Sequence, residues 1–251
     1  MKKLTAGITS NERIAQGIYR MSLAVGAETA EKAAPGQFVH IEVPGSDSRL
    51  LRRPISINTA DGESITIVYA VVGNGTDRLT RLCTGDSLDI LAPLGNGFRI
   101  GNEKKIWLAG GGVGIAPLLF AAEKCRHAEV SAFLGYRSSG LIYDRQEFES
   151  VCKDVTVTTD DLSLGKYRFV TEPLAERLSA EKPDLILSCG PAPMLRALKQ
   201  TVHGVPVQVS MEQRMGCGVG TCYTCTCEMT DGSMKRVCKD GPVFDMDEVK
   251  L

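Results

Sequence analysis

With 251 residues, 43% hydrophobic and 24% charged, the chain has the composition of an ordinary soluble globular protein, enough for one large domain or a few small ones. A formal net charge of −1 leaves no electrostatic footprint for a nucleic acid or an anionic membrane. No apolar run approaches the roughly 18 residues of a membrane span, and the N-terminal MKKLTAGITSNERIAQG has no apolar stretch of the kind a signal peptide needs, so a cytoplasmic setting is expected.

In chain order, short strands come first. Tyr19, Met21, Leu23 and Val25 alternate with other residues, as do Val39, Ile41 and Val43, with Pro35-Gly36 and Pro44-Gly45 as turn punctuation. Period two broken by such turns predicts antiparallel strands. Further strands are predicted at 65–72 and 87–91, and regular short strands imply a barrel or sandwich. A short helix is expected over 77–82, after Gly73-Asn74-Gly75-Thr76. The rhythm changes near Lys104. A buried strand at 106–109 runs into Gly110-Gly111-Gly112-Val113-Gly114, then a helix from 116 to about 126. Strands at 130–134, 155–158 and 185–188 alternate with helices at 145–151, 172–178 and 193–202, and a last strand is expected at 205–209. Alternation of this kind predicts a parallel sheet with crossover helices.

The motifs carry the chemistry. Cys217, Cys222, Cys225 and Cys238 read C-x4-C-x2-C-x12-C in a glycine-rich setting. The C-x4-C-x2-C…C spacing is that of a plant-type [2Fe–2S] site, and soft thiolates suit iron–sulfur or zinc. A structural zinc site usually pairs two short C-x2-C units, which the lone Cys238 does not offer. Cys227 blurs which thiol is the third ligand. Cys83, Cys125 and Cys152 read as small buried hydrophobes. The three histidines, His40, His127 and His203, form no ligand or triad spacing, so solvated or half-buried structural roles are expected of them.

Arg53-Pro54-Ile55-Ser56 at a strand end offers a fixed cation and a hydroxyl to a phosphate. Gly75 and Thr76 stand where backbone amides at a helix start can meet a pyrophosphate, although an ordinary capped turn has the same composition. Gly112-Val113-Gly114-Ile115-Ala116-Pro117 lies between strand and helix, the place of a dinucleotide pyrophosphate. The acidic residue expected ~20 positions on, which would hold the ribose of NAD, is absent. Arg137 stands there instead and would suit the 2′-phosphate of NADP. Cys189, in Cys189-Gly190-Pro191-Ala192-Pro193-Met194, would either face a nicotinamide or be a core thiol.

Together these strings resemble the ferredoxin–NADP reductase superfamily, where R-P-x-S binds flavin, G-x-G-x-x-P binds the pyridine nucleotide and C-G-P-x-P-M closes the nucleotide site. Over essentially the whole chain, L-R-R-P-I-S-I at 51–57, P-L-G-N-G-F at 93–98, L-A-G-G-G-V-G-I-A-P-L at 108–118 and the C-terminal cysteine string resemble the electron-transfer subunits of NAD-dependent, type B dihydroorotate dehydrogenase. The resemblance implies an N-terminal antiparallel β-barrel for FAD at 1–101, a Rossmann-like parallel-sheet domain for NAD at 102–204, and a small [2Fe–2S] region at 205–251. It implies FAD held by Arg53, Pro54, Ile55, Ser56, Val68, Tyr69, Ala70, Gly75 and Thr76. It also implies NAD(H) near Gly112, Val113, Gly114 and Pro117 with Cys189 at the nicotinamide, and a cluster on Cys217, Cys222, Cys225 and Cys238. The implied partner is an FMN-containing catalytic subunit, two of each forming a heterotetramer, which turns dihydroorotate into orotate. Met215, Val219 and Tyr223 are the expected docking residues. Small subunits of NADH-dependent ferredoxin:NADP oxidoreductases and sulfide dehydrogenases look similar and share the cofactors but not the partner. A free-standing diaphorase is a further reading, and a colourless zinc-stabilised interaction module is the non-enzyme alternative.

Overall fold

The computed structural model describes residues 2–45 and 51–251. β1 (Lys2–Ala15), β2 (Ile18–Ala24), β3 (Phe38–Ile41), β4 (Arg53–Asp61), β5 (Ser64–Ala70) and β6 (Ser87–Leu94) close into an antiparallel barrel in the order β1-β2-β5-β4-β3-β6. Of the two architectures the strand pattern allows, the barrel forms. α1 (Ala27–Glu31) joins β2 to β3, and α2 (Asn74–Leu79) joins β5 to β6. α2 begins earlier than predicted, so Gly75 and Thr76 lie in its first turn, with the Thr76 hydroxyl accepting the Val72 amide at 3.0 Å. β1 escapes the sequence reading. Its polar run buries Ala6 and Ile8 but little else, and its extended form comes from pairing with both β2 and β6.

The second unit holds β7 (Lys105–Gly111), α3 (Ala116–Lys124), β8 (Glu129–Tyr136), α4 (Arg145–Val151), β9 (Asp154–Thr159), α5 (Thr171–Leu178), β10 (Leu185–Cys189), α6 (Ala192–Thr201) and β11 (Val207–Ser210). The remaining strands are β12 (Thr226–Glu228), β13 (Met234–Arg236) and β14 (Val243–Asp245). The large sheet runs β14-β11-β10-β7-β8-β9. β7 to β11 pair in parallel, as crossover helices require, while β14 returns antiparallel at the edge. β11 hydrogen-bonds to β10 inside the sheet, and the chain leaves for the cysteine loop only after Ser210. The tail after the cysteines is likewise a sheet strand, with Val243 and Phe244 buried. β12 and β13 make a separate two-stranded ribbon.

The barrel and the α/β unit are tied by a buried polar knot. Asp144, in left-handed backbone just before α4, takes an ion pair from Arg20 of β2. Asn58 of β4 donates to Asp144 Oδ2 at 2.9 Å and to the Ala116 carbonyl at 2.9 Å. Burial pushes the Asp144 carboxyl up, against the pull of Arg20.

Candidate functional site: two cavities and a cysteine loop

A cavity of about 570 Å³ opens where the barrel faces the sheet, a size ordinary for a cofactor pocket. Arg53, Pro54, Ile55 and Ser56 of β4, Val68, Tyr69 and Ala70 of β5, and Thr76 all line it. Its far wall comes from the segment after β11, Met211 to Met215. Arg53 also borders a notch with Gly73, Asn74, Gly75 and Thr76. The cavity thus joins an apolar slot to the Arg53 cation and a turn of backbone amides, which fits a flavin with its phosphates at Arg53. The Tyr69 hydroxyl donates to Asn11 Oδ1 at 3.0 Å, and its ring stacks on Tyr19 at 5.7 Å.

A second cavity of about 360 Å³ lies at the carboxyl ends of β7, β8 and β10. Gly112, Val113 and Gly114 line it, with Arg137, Tyr143, Gly190 and Pro191. These are the ends at which ligands bind in open α/β sheets. A Cβ on Gly114 would fall 2.7 Å from the Cys189 carbonyl carbon, so only glycine lets these two loops meet. The Tyr143 hydroxyl donates to the Gly112 carbonyl at 3.0 Å and fixes the turn. Pro117 is not a lining residue. It stands in the first turn of α3, where its missing N–H costs little. The Cys189 side chain is 2% exposed, and burial pushes its thiol up to about 12, with Glu212 adding to the rise. Cys189 is thus a buried thiol next in sequence to Gly190, which lines the cavity.

The two cavities share Ala70, Val72, Val113 and Glu212. Sequence reasoning passed over Glu212. Burial raises its carboxyl above the ordinary range at this shared wall.

The cysteine loop starts at the rim of the first cavity. The four cysteines fall into two pairs, Cys217 with Cys222 and Cys225 with Cys238, each joined through a backbone amide. Backbone amides already face sulfur. Val219 and Thr221 donate to Cys217 Sγ at 3.4 and 3.3 Å, Cys217 donates to Cys222 Sγ at 3.3 Å, and Cys238 donates to Cys225 Sγ at 3.4 Å. Burial opposes but these donors, with the Thr221 hydroxyl, lower Cys217 to about 5, while burial lifts Cys238 to about 12. Among the described residues no three His, Cys, Asp or Glu side chains converge as a cage for one ion. Two thiol pairs ringed by amide donors fit a group with two irons better than a single zinc. Cys227 lies in β12 opposite Lys235, and it is Cys225 whose sulfur takes the Cys238 amide.

Several expectations change. His40 is 0% exposed, neither solvated nor half-buried, and burial lowers its imidazole to about 4. Cys125 is buried as expected, Cys152 only partly, and Cys83 is exposed. Met215 is 8% exposed and belongs to the core, whereas Tyr223 is 61% exposed.

Comparison with known proteins agrees with this geometry. Residues 212–250 match the model of the iron-sulfur cluster binding domain of dihydroorotate dehydrogenase B. The chain is 39% identical over 252 residues to the dihydroorotate dehydrogenase B (NAD(+)) electron transfer subunit of Caldanaerobacter subterraneus, covering 98% of each. It is 40% identical over 260 residues to that of Bacillus velezensis, covering 100% of each. Among solved structures, an NADH-dependent reduced ferredoxin-NADP oxidoreductase superposes with a TM-score of 0.87 at 30% identity, over 98% of this chain and 89% of that one. Phthalate dioxygenase reductase, at 17% identity and a TM-score of 0.67 over 99% of this chain and 96% of its own, shares the fold. A barrel and a nucleotide sheet sharing a cavity wall, a cysteine loop at its rim, and full-length identity of this order place the chain in the family of dihydroorotate dehydrogenase B (NAD(+)) electron transfer subunits.

Proposed function

We propose that this chain carries electrons from a dihydroorotate-oxidising partner to NAD+, with FAD in the larger cavity, the nucleotide in the smaller, and a [2Fe–2S] cluster on Cys217, Cys222, Cys225 and Cys238. The carrying observation is the wall of Ala70, Val72, Val113 and Glu212 common to both cavities, with Met215 leading from the larger one into the cysteine loop. Bound FAD and cluster together supply the exchange of a hydride pair for single electrons. Arg53 offers its cation to the flavin phosphates, beside Gly75 and Thr76. Pro54, Ile55, Ser56, Val68, Tyr69 and Ala70 wall the ring system. Gly112, Val113 and Gly114 bring backbone up to the nucleotide, Pro117 anchors the helix behind them, and Cys189 supports the nicotinamide pocket from below. Cys217 and Cys222 take one iron, Cys225 and Cys238 the other.

Both apolar cavities described above are then filled, so dihydroorotate belongs to the partner. We assign that partner as an FMN-containing catalytic subunit in a two-plus-two heterotetramer that meets this chain near Tyr223. No helix among the described residues is long and apolar enough to cross a membrane, and the assignment includes a cytoplasmic site of action.

The test is dihydroorotate-dependent reduction of NAD+ by the native complex. Activity is expected in the wild type and lost in Cys222→Ser, while NADH oxidation by a dye at the flavin persists. A flavin-containing complex that ignores dihydroorotate but oxidises NADH or NADPH moves the reading to a ferredoxin:NADP oxidoreductase or sulfide dehydrogenase subunit. The TM-score of 0.87 to the ferredoxin-NADP oxidoreductase and Arg137 in the nucleotide cavity favour that second reading.

A further inference from the structure

β3 reads Phe38-Val39-His40-Ile41, and all four residues are buried. Three of them pack as apolar core. The fourth is a histidine with no exposed surface, and among the described residues neither of its ring nitrogens has a hydrogen-bond partner. An imidazole, neutral or charged, always carries at least one N–H. A buried donor left unmade is costly and rare, so an orphan of this kind calls for a partner that the protein itself does not supply.

The position of the ring indicates which partner. Gly218, in the cysteine loop, lies directly on it. A Cβ there would fall 2.3 Å from His40 Nδ1 and 3.0 Å from Cε1. Gly218 also has φ +72, so both its backbone and the ring beneath it require glycine. The backbones of Arg52 and Cys217 lie beside the ring, but neither meets hydrogen-bond geometry with it. Phe38 packs edge-on at 6.5 Å and offers no acceptor. On the loop side, the Val219 and Thr221 amides already turn toward Cys217 Sγ. His40 is therefore a buried, unpartnered donor of the barrel beneath a loop in which the Cys217, Val219 and Thr221 amides turn toward sulfur.

We propose that His40 is a positioning residue of the cluster site, whose ring N–H donates to a sulfur of the [2Fe–2S] group and raises its reduction potential. This rests on the reading that the four thiols hold such a cluster. Reduction adds negative charge to the sulfurs, so a donor stabilises the reduced form, and hydrogen bonds to sulfur are a recognised lever on cluster potentials. The role also explains why a strand otherwise suited to Leu or Phe spends a core position on histidine.

The experiment is an EPR-monitored redox titration of the native complex carrying His40→Leu or His40→Gln. Leu keeps volume and removes the donor, whereas Gln keeps an N–H of similar reach. In His40→Leu the reduction equilibrium of the cluster is expected to fall about tenfold, about 59 mV more negative for one electron. The FAD potential should stay in place, and His40→Gln should recover most of the shift. If Leu cannot retain the cluster, retention by Gln supports the same role. An unchanged potential in His40→Leu, an equal shift or equal cluster loss in both variants, or a shift confined to FAD overturns it. A wild-type complex without a [2Fe–2S] signal would overturn the cluster assignment itself, an outcome distinct from any His40 result.

Discussion

Two cysteines that look alike in sequence behave as opposites in the fold. Cys83 is exposed, whereas Cys189 is buried with its thiol pushed up to about 12 by burial and, secondarily, by Glu212. Below that value Cys189 stays a protonated thiol, and at pH 8 on the order of 10⁻⁴ of it is the reactive thiolate. Iodoacetamide at pH 8, followed by mass spectrometry, should label Cys83 and leave Cys189 intact over the same interval. Labelling of Cys189 at the Cys83 rate would mean that the thiol opens to solvent. His40 shows why single residues were only partly legible. Three scattered histidines match no ligand spacing, so spacing said nothing of it. A lone histidine inside Phe-Val-His-Ile was the available signal, but its contact with Gly218 joins residues far apart in the chain and exists only in the folded protein.

At the scale of elements, local pattern worked where one face of an element decides its fate. β7, buried throughout from Ile106 onward, and the helix beginning at Ala116 appear where apolar runs and glycines predicted them. β1 and β14 were invisible because partners on both sides, or an edge position, make them strands. The junction between the two large units is likewise a product of folding. Arg20, Asn58 and Asp144 come from β2, β4 and the start of α4. Removing one member of a buried ion pair leaves the others uncompensated, so Asp144→Ala should cost about 3 kcal/mol. Glu147, 2.8 Å from Arg20, limits the loss. Urea denaturation followed by tryptophan fluorescence measures it, and a change below about 1 kcal/mol would mean that the knot is not what holds the units together.

For the whole molecule, the cysteine loop presents itself outward at one residue above all. Tyr223 is 61% exposed, takes φ 57, and carries Arg236 over its ring at 5.0 Å. A non-glycine residue held in left-handed backbone at an exposed loop tip is a mark of function. Tyr223→Asp should weaken assembly with the catalytic subunit at least tenfold in a calorimetric titration, while FAD and cluster absorbance stay unchanged. Undiminished assembly would move the docking surface elsewhere. With a net charge of −1, long-range steering has little to offer this chain.

The sequence by itself determined the cofactor chemistry. Thiol spacing, an Arg-Pro-x-Ser string and a glycine-rich strand–helix turn are local, because each string is made of residues close together in the chain. Only the tertiary structure decided how these parts meet: the cavity wall shared through Val113 and Glu212, the choice of Cys225 over Cys227 beside Cys238, and the histidine beneath the loop. Those are contacts between residues distant in the chain, set by how barrel and sheet pack, and no short-range pattern encodes them.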